Sequence, residues 1–194
     1  MRPAKYLLLI PPLVLMLVAS ATPSYRAADS YPNLPFPIAR EPIVVTTAGM
    51  GAEGLIVARM CDQLDLDYAY LFQATGEDLP PKGSLIVVVG VSPAGMASIG
   101  TTAAAEEQRV LELADTAVAH DIPLIVVHLG GRDRRGGLND RFIRDLVPKA
   151  SYVLVAGGGN YDGLFSRLTL AGHIPLTEVA DINDIEVPLN SAFR

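Results

Sequence analysis

The chain is poor in the residues from which metal and redox centres are usually assembled. Its 194 residues include one cysteine and three histidines. A lone Cys61 cannot close an internal disulfide, and one thiol is no metal framework. His120, His128 and His173 are scattered without clustered carboxylates, so no metal site is expected. Cys61 falls in "GLIVARMCDQL", on the apolar side of a predicted helix, where a buried and inert thiol is the expectation. Stability therefore has to come from packing. Roughly 150 residues beyond the N-terminal segments suffice for one domain with a sizeable core.

Positive charge is scarce as well. Fifteen Lys and Arg face 21 Asp and Glu, for a formal net charge of −6. Such a surface repels phosphate backbones, which excludes nucleic acid as an expected partner. Aromatic residues make up only 6% of the chain. Tyr161 is the main one near a predicted strand end, which leaves a flavin little to stack on. No cofactor is assigned.

Long apolar runs are limited to the N-terminus, "MRPAKYLLLIPPLVLMLVASA". Arg2 and Lys5 form a short positive region, Tyr6 to Val18 an apolar core, and Ala19-Ser20-Ala21 a small-residue cleavage pattern. That order is the order of a secretory signal peptide. The run falls short of the ~20 residues a spanning helix needs, and Pro11-Pro12 interrupt it. Residues 1–21 are therefore expected to be a signal peptide and the protein to be exported, to the periplasmic or extracellular side. If the segment is retained, it is the expected membrane attachment. Its removal takes away Arg2 and Lys5 and brings the formal charge to −8.

Residues 22–41, which include "ADSYPNLPFPIARE", read as a Pro-rich linker without helical or strand period. From Pro42 onward the pattern is regular. "PIVVTT", "DYAYLF", "SLIVVVG", "PLIVVHLG" and "SYVLVAGG" are short runs rich in β-branched and apolar residues. Most are continuously apolar, as strands covered on both faces are. Between them, helical periodicity runs over 51–64, 102–120, 139–147 and 160–171, the last capped by Asn160. The link 73–83 has room for a single turn. Strands alternating with helices predict an α/β fold: a three-layer, doubly wound parallel sheet of five strands, flavodoxin-like or Rossmann-like, forming a single domain over residues 42–189. "PLTEV" (175–179) offers a short sixth strand, and the remaining C-terminal residues are expected to run back over the surface.

Ligands of such sheets bind outside the carboxyl ends of the strands. Those ends read "TTAGMGAEG", "GVSPAGMASIG", "HLGGRDRRGG" and "GGGNYDG", rich in glycine, hydroxyl and amide groups. The opposite connections, such as "HDIP" and "VPKA", are ordinary turns. The asymmetry points to a binding crevice whose candidate residues are Thr47, Gly49, Gly51, Ser92, His128, Gly130, Gly131, Arg132 and Asn160. Arg132, Arg134 and Arg135 supply forked donors for carboxylate or phosphate, with Arg132 closest to the strand. "GMGAEG" matches G-x-G-x-x-G between a strand and a helix. Gln73, however, stands where the ribose-binding acid belongs, so the segment reads as a tight turn able to hold an anion rather than as a dinucleotide site. His128 could serve as a weak catalytic candidate with Asp133 or Asp162, or as a structural histidine.

Taken together, "PIVVTTAGMGAEG", "SLIVVVGVSPAGMASIG", "PLIVVHLGGRDRRGGLNDRFI" and "GGGNYDGLF" resemble a family of exported bacterial α/β domains of unknown function. The resemblance covers residues 42 to about 189 and implies a flavodoxin-like or Rossmann-like domain behind a signal peptide. It carries over no catalytic residue. The expected function is binding of a small anionic ligand at the carboxyl edge of the sheet, for a membrane transport or sensing component. The alternatives are an extracytoplasmic hydrolase using His128 and a protein-interaction module docking through the Arg132–Arg135 loop.

Overall fold

The computed structural model describes residues 33–194. The expected signal segment and the first part of the Pro-rich segment lie outside the described residues.

The apolar runs pair as a single parallel sheet because each can be covered on both faces. β1 (Ile43–Ala48), β3 (Ser84–Val89), β4 (Leu124–His128) and β5 (Tyr152–Ala156) are buried at every position. β2 (Tyr68–Tyr70) is a short, half-exposed edge. The order is β2-β1-β3-β4-β5-β6, every pair parallel, with Ile43 opposite Ser84 and Ile125 opposite Tyr152. Strand side chains alternate between faces, so the sheet feeds two cores. Val44, Val87 and Val126 pack on one face with α3 (Ala103–Ala119), α4 (Gly137–Leu146) and α5 (Leu164–Gly172), through Leu113, Phe142 and Phe165. Ile43, Val45 and Val127 pack on the other with α1 (Glu53–Gln63) and α6 (Glu186–Ser191), through Val57, Cys61 and Leu189. The result is three layers. Burial pushes the Cys61 thiol up to about 12, which leaves it protonated and unreactive.

Several expectations need correction. The sheet has six strands rather than five. β6 (Leu176–Val179) pairs parallel with β5, Val153 opposite Leu176, and buries Leu176 and Thr177. The C-terminal residues do not merely cross the surface. They form a 3-10 turn (Ile182–Ile185) and α6, which bury Ile185, Leu189 and Ala192 in the second core. The end of the Pro-rich segment is packed on the domain. Leu34 is buried, the Ile38 and Ala39 N–H groups donate to the Ala192 carbonyl at 3.0 and 2.8 Å, and the Arg40 N–H donates to Ser84 Oγ at 2.8 Å. A further helix, α2 (Pro93–Ser98), follows β3, with Pro93 in its first turn and the Ser92 hydroxyl accepting from the Gly95 N–H at 3.0 Å. Ser-Pro is a good helix start, but Gly95 and Gly100 hid it within a loop-like composition.

Candidate functional site

All six strands end on one rim, and that rim has two unlike parts. The first lies over β1 and β3, where chain direction switches and doubly wound sheets usually hold ligands. Here the glycines bring backbone against backbone. A Cβ at Gly49 would stand 2.8 Å from Val91 Cα, and one at Gly51 would stand 2.3 Å from the Gly90 carbonyl oxygen. The Ser92 N–H donates to the Gly49 carbonyl at 2.7 Å, and Met50 bridges Val91. Glu106, on α3, reaches in from the first core. Its Oε1 accepts the Gly49 N–H at 2.9 Å, and its carboxylate takes Arg109 Nε and Nη2 at 2.8 Å each. Arg109 also donates to the carbonyls of Ala74 and Thr47, at 2.6 and 2.7 Å. With side chains 1% and 13% exposed, this pair ties β1, the 71–75 link and α3 together. The sequence offered little sign of it, because a Glu and an Arg three residues apart on a helix look like solvated surface charges.

Over the same turns lies Glu53, whose Oε1 receives Arg134 Nη2 at 2.7 Å. Thr47 Oγ1 and Glu53 Oε2 are buried without a hydrogen-bond partner among the described residues. The first part of the rim is thus filled by protein groups. Gly49, Gly51 and Ser92 serve there in turn closure and capping, while Thr47 offers only its carbonyl, to Arg109.

The second part lies over β4, β5 and β6. His128 is fully buried beside Phe165, ring centroids 5.6 Å apart. Its Nδ1 and Nε2 face the carbonyls of Val89 and Gly131 at 3.4 and 3.2 Å. Burial lowers its pKa and the Arg135 charge adds to this, against the opposing pull of the two carbonyls. A neutral imidazole has one N–H to give, so it donates to one of these two carbonyls, on β3 or on the turn after β4, and not to both.

Arg135 is internal, its side chain 1% exposed. It donates to Asp140 Oδ1 at 2.7 Å, to Asp162 Oδ2 at 3.0 Å and to the Gly159 carbonyl. The Arg135 hydrogen bond is the main reason Asp140 lies below the ordinary carboxylate range. Burial alone would raise Asp162, but Arg135 and the Leu164 N–H outweigh it and hold it low as well. Asn160 caps α5 from a distance, its Oδ1 accepting from the Phe165 N–H at 2.9 Å and its Nδ2 donating to Ser166 and Glu178. Gly163 takes the position next to the helix.

With Arg134 and Arg135 engaged internally, Arg132 remains. Its guanidinium lies 4.4 Å over the centre of the Tyr161 ring, a cation–π contact. Beside it is a cavity of about 340 Å³, lined by residues 129–133, Gly157 and residues 180–182. Gly130, Gly131 and Arg132, from the expected set, meet at this cavity. Gly131 makes it possible: at φ 60° its backbone abuts Gly157, where a Cβ would stand 2.7 Å from the carbonyl oxygen. Residues 180–182 were missed because they follow β6, in a stretch read as a surface run. Among the described residues, no group of three His, Cys, Asp or Glu could hold a metal ion, and no helix is long and apolar enough to cross a membrane.

Fold and site together define a three-layer α/β domain with a single parallel sheet and an open hollow at one end of its carboxyl rim. Residues 40–193 match the model of a family described as Domain of unknown function (DUF6305), and the chain belongs to that family. No curated protein and no solved structure matches it.

Proposed function

We propose that this domain binds a small acid-bearing ligand in the hollow over β4, β5 and β6, with Arg132 receiving the acid group. One observation carries the reading: of the three loop arginines, Arg132 alone makes no ion pair with an acid among the described residues, and it lines the cavity. The Tyr161 ring orients its guanidinium without neutralising it. A hollow of about 340 Å³ is within the ~300–1,000 Å³ of small-molecule sites. Combined with the export pattern of residues 1–21, this reads as an extracytoplasmic domain that binds or senses its ligand for a membrane transport or sensing component.

The alternatives draw less support. His128 is buried among carbonyls and hydrophobic groups, away from any position where a substrate could meet it. A docking loop would offer its arginines outward, whereas Arg134 and Arg135 are held by Glu53, Asp140 and Asp162. The test is a thermal-shift screen of carboxylic acids, sugar acids and nucleotides on wild type and Arg132→Ala. At least one acid should raise the wild-type midpoint, and Arg132→Ala should abolish that rise. A rise that survives Arg132→Ala removes the proposed contact.

A further inference from the structure

The cavity's own charges say more about the ligand than Arg132 does alone. Its lining includes one cation, Arg132, and two carboxylates, Asp133 and Asp181. The other charges of these loops are already matched: Arg134 with Glu53, and Arg135 with Asp140 and Asp162. Asp133 makes no hydrogen bond or ion pair among the described residues. Asp181 accepts from the backbone and side-chain nitrogens of Asn183, at 2.9 and 2.8 Å, and from the backbone of Asp184 in the capping box of the same turn, but pairs with no cation among the described residues. A ligand bearing only negative charge would gain from Arg132 and be repelled by the two carboxylates that line the same hollow. A ligand carrying an ammonium beside its acid group matches all three. Leu129, Ala180 and Ile182 add an apolar wall, where a short aliphatic stem can rest.

We infer that the ligand is an amino-acid-like zwitterion, its carboxylate at Arg132 and its amine at Asp133 and Asp181. The inference rests on the binding reading above and sharpens it from acids in general to acids that also bear an amine. It also gives Asp181 two roles. Its carboxylate caps the 3-10 turn that follows β6 and, having no cation of its own, meets the ligand's amine, so a binding carboxylate is held by the turn that shapes the hollow.

Calorimetric titration of the full chain separates this inference from its parent. The probes are L-amino acids, each paired with its deaminated acid and its N-acetyl derivative, for example L-glutamate with glutarate and N-acetyl-L-glutamate. At least one free amino acid should bind, and its two partners should bind about tenfold or more weakly, as loss of a charge-assisted hydrogen bond requires. Asp181→Asn retains a capping side chain, and Asp133→Asn retains size. Each should erase the preference for the amine while leaving binding of the bare acid and the melting temperature nearly unchanged. If bare acids bind as tightly as amino acids and Arg132→Ala abolishes both, the zwitterion is wrong and the acid site stands. If no probe of either kind binds, the site and the inference fall together. Binding of simple alkylamines that ignores Arg132→Ala overturns both as well.

Discussion

Over β1 and β3, Gly49 and Gly51 press against Val91 and Gly90; over β4 and β5, Gly131 presses against Gly157 at equally short range. Both places are glycine-rich and bring backbone against backbone, yet protein groups fill the first and a hollow lies beside the second. The closed part is filled by Glu53 and anchored by the Glu106–Arg109 pair, both brought in from helices. The open part is bounded by residues 180–182, which follow β6 and leave about 340 Å³ beside Arg132. Glycine at a strand end thus licenses close backbone approach. Whether a hollow remains depends on which distant side chain arrives above it.

The hardest test of this contrast is Glu106→Ala. It leaves the Arg109 guanidinium buried without its carboxylate and the Gly49 N–H without an acceptor, a loss expected to cost about 3–5 kcal/mol, read from urea unfolding. A loss under about 1 kcal/mol would mean that the pair does not hold the closed part together. A smaller effect comes from paired glycine substitutions. Gly51→Ala forces a methyl into the Gly90 carbonyl and the Glu53 carboxylate, and overpacking of that kind costs about 1–3 kcal/mol. Gly158→Ala, on the open part, meets nothing within 4 Å and bears only its left-handed φ of 69°, for about 1 kcal/mol. Equal losses at the two positions would erase the distinction.

The mildest effect is acid dependence. Asp140 and Asp162 both titrate below their ordinary value of 3.8 in the folded chain. Their stabilisation is therefore complete above that pH and is lost as pH falls through the depressed values. Allowing for the solvent exposure of both carboxylates, the change amounts to about 1 kcal/mol. Arg135→Leu should flatten that acid limb in urea midpoints measured from pH 6 to pH 2, as well as lowering stability at neutral pH. An acid limb as steep in Arg135→Leu as in the wild type would show that other groups set it.

The layered sheet was legible because its signal is local. "SLIVVV" and "LIVVH" are apolar at every position, and only a strand covered on both faces uses that pattern. α3 and α4 announced themselves through period, and the structure adds the Thr102 side chain as the cap of α3. β6 and α6 were harder. "LTEV" is short, with Glu178 exposed and Val179 only partly buried, and α6 carries a proline and few apolar residues to mark a face. The site was legible in kind and not in detail. Three arginines after β4 marked the right loop, but nothing in "RDRR" says that Arg135 turns inward to Asp162, 27 residues away, or that Arg134 is taken by Glu53. His128 looked available for chemistry because it stands at the carboxyl end of a strand, while its neighbours in space are Phe165 and two carbonyls.

By itself the sequence determined the class of fold, its strand-end rim and the charge the rim could offer, since hydrophobic period and turn chemistry act over a few residues. Tertiary structure decided which arginine stays unpaired and which glycine-rich turn leaves a hollow. Those outcomes depend on side chains such as Glu106, 57 residues from the turn it closes, and a local pattern carries no record of what packing will bring beside it.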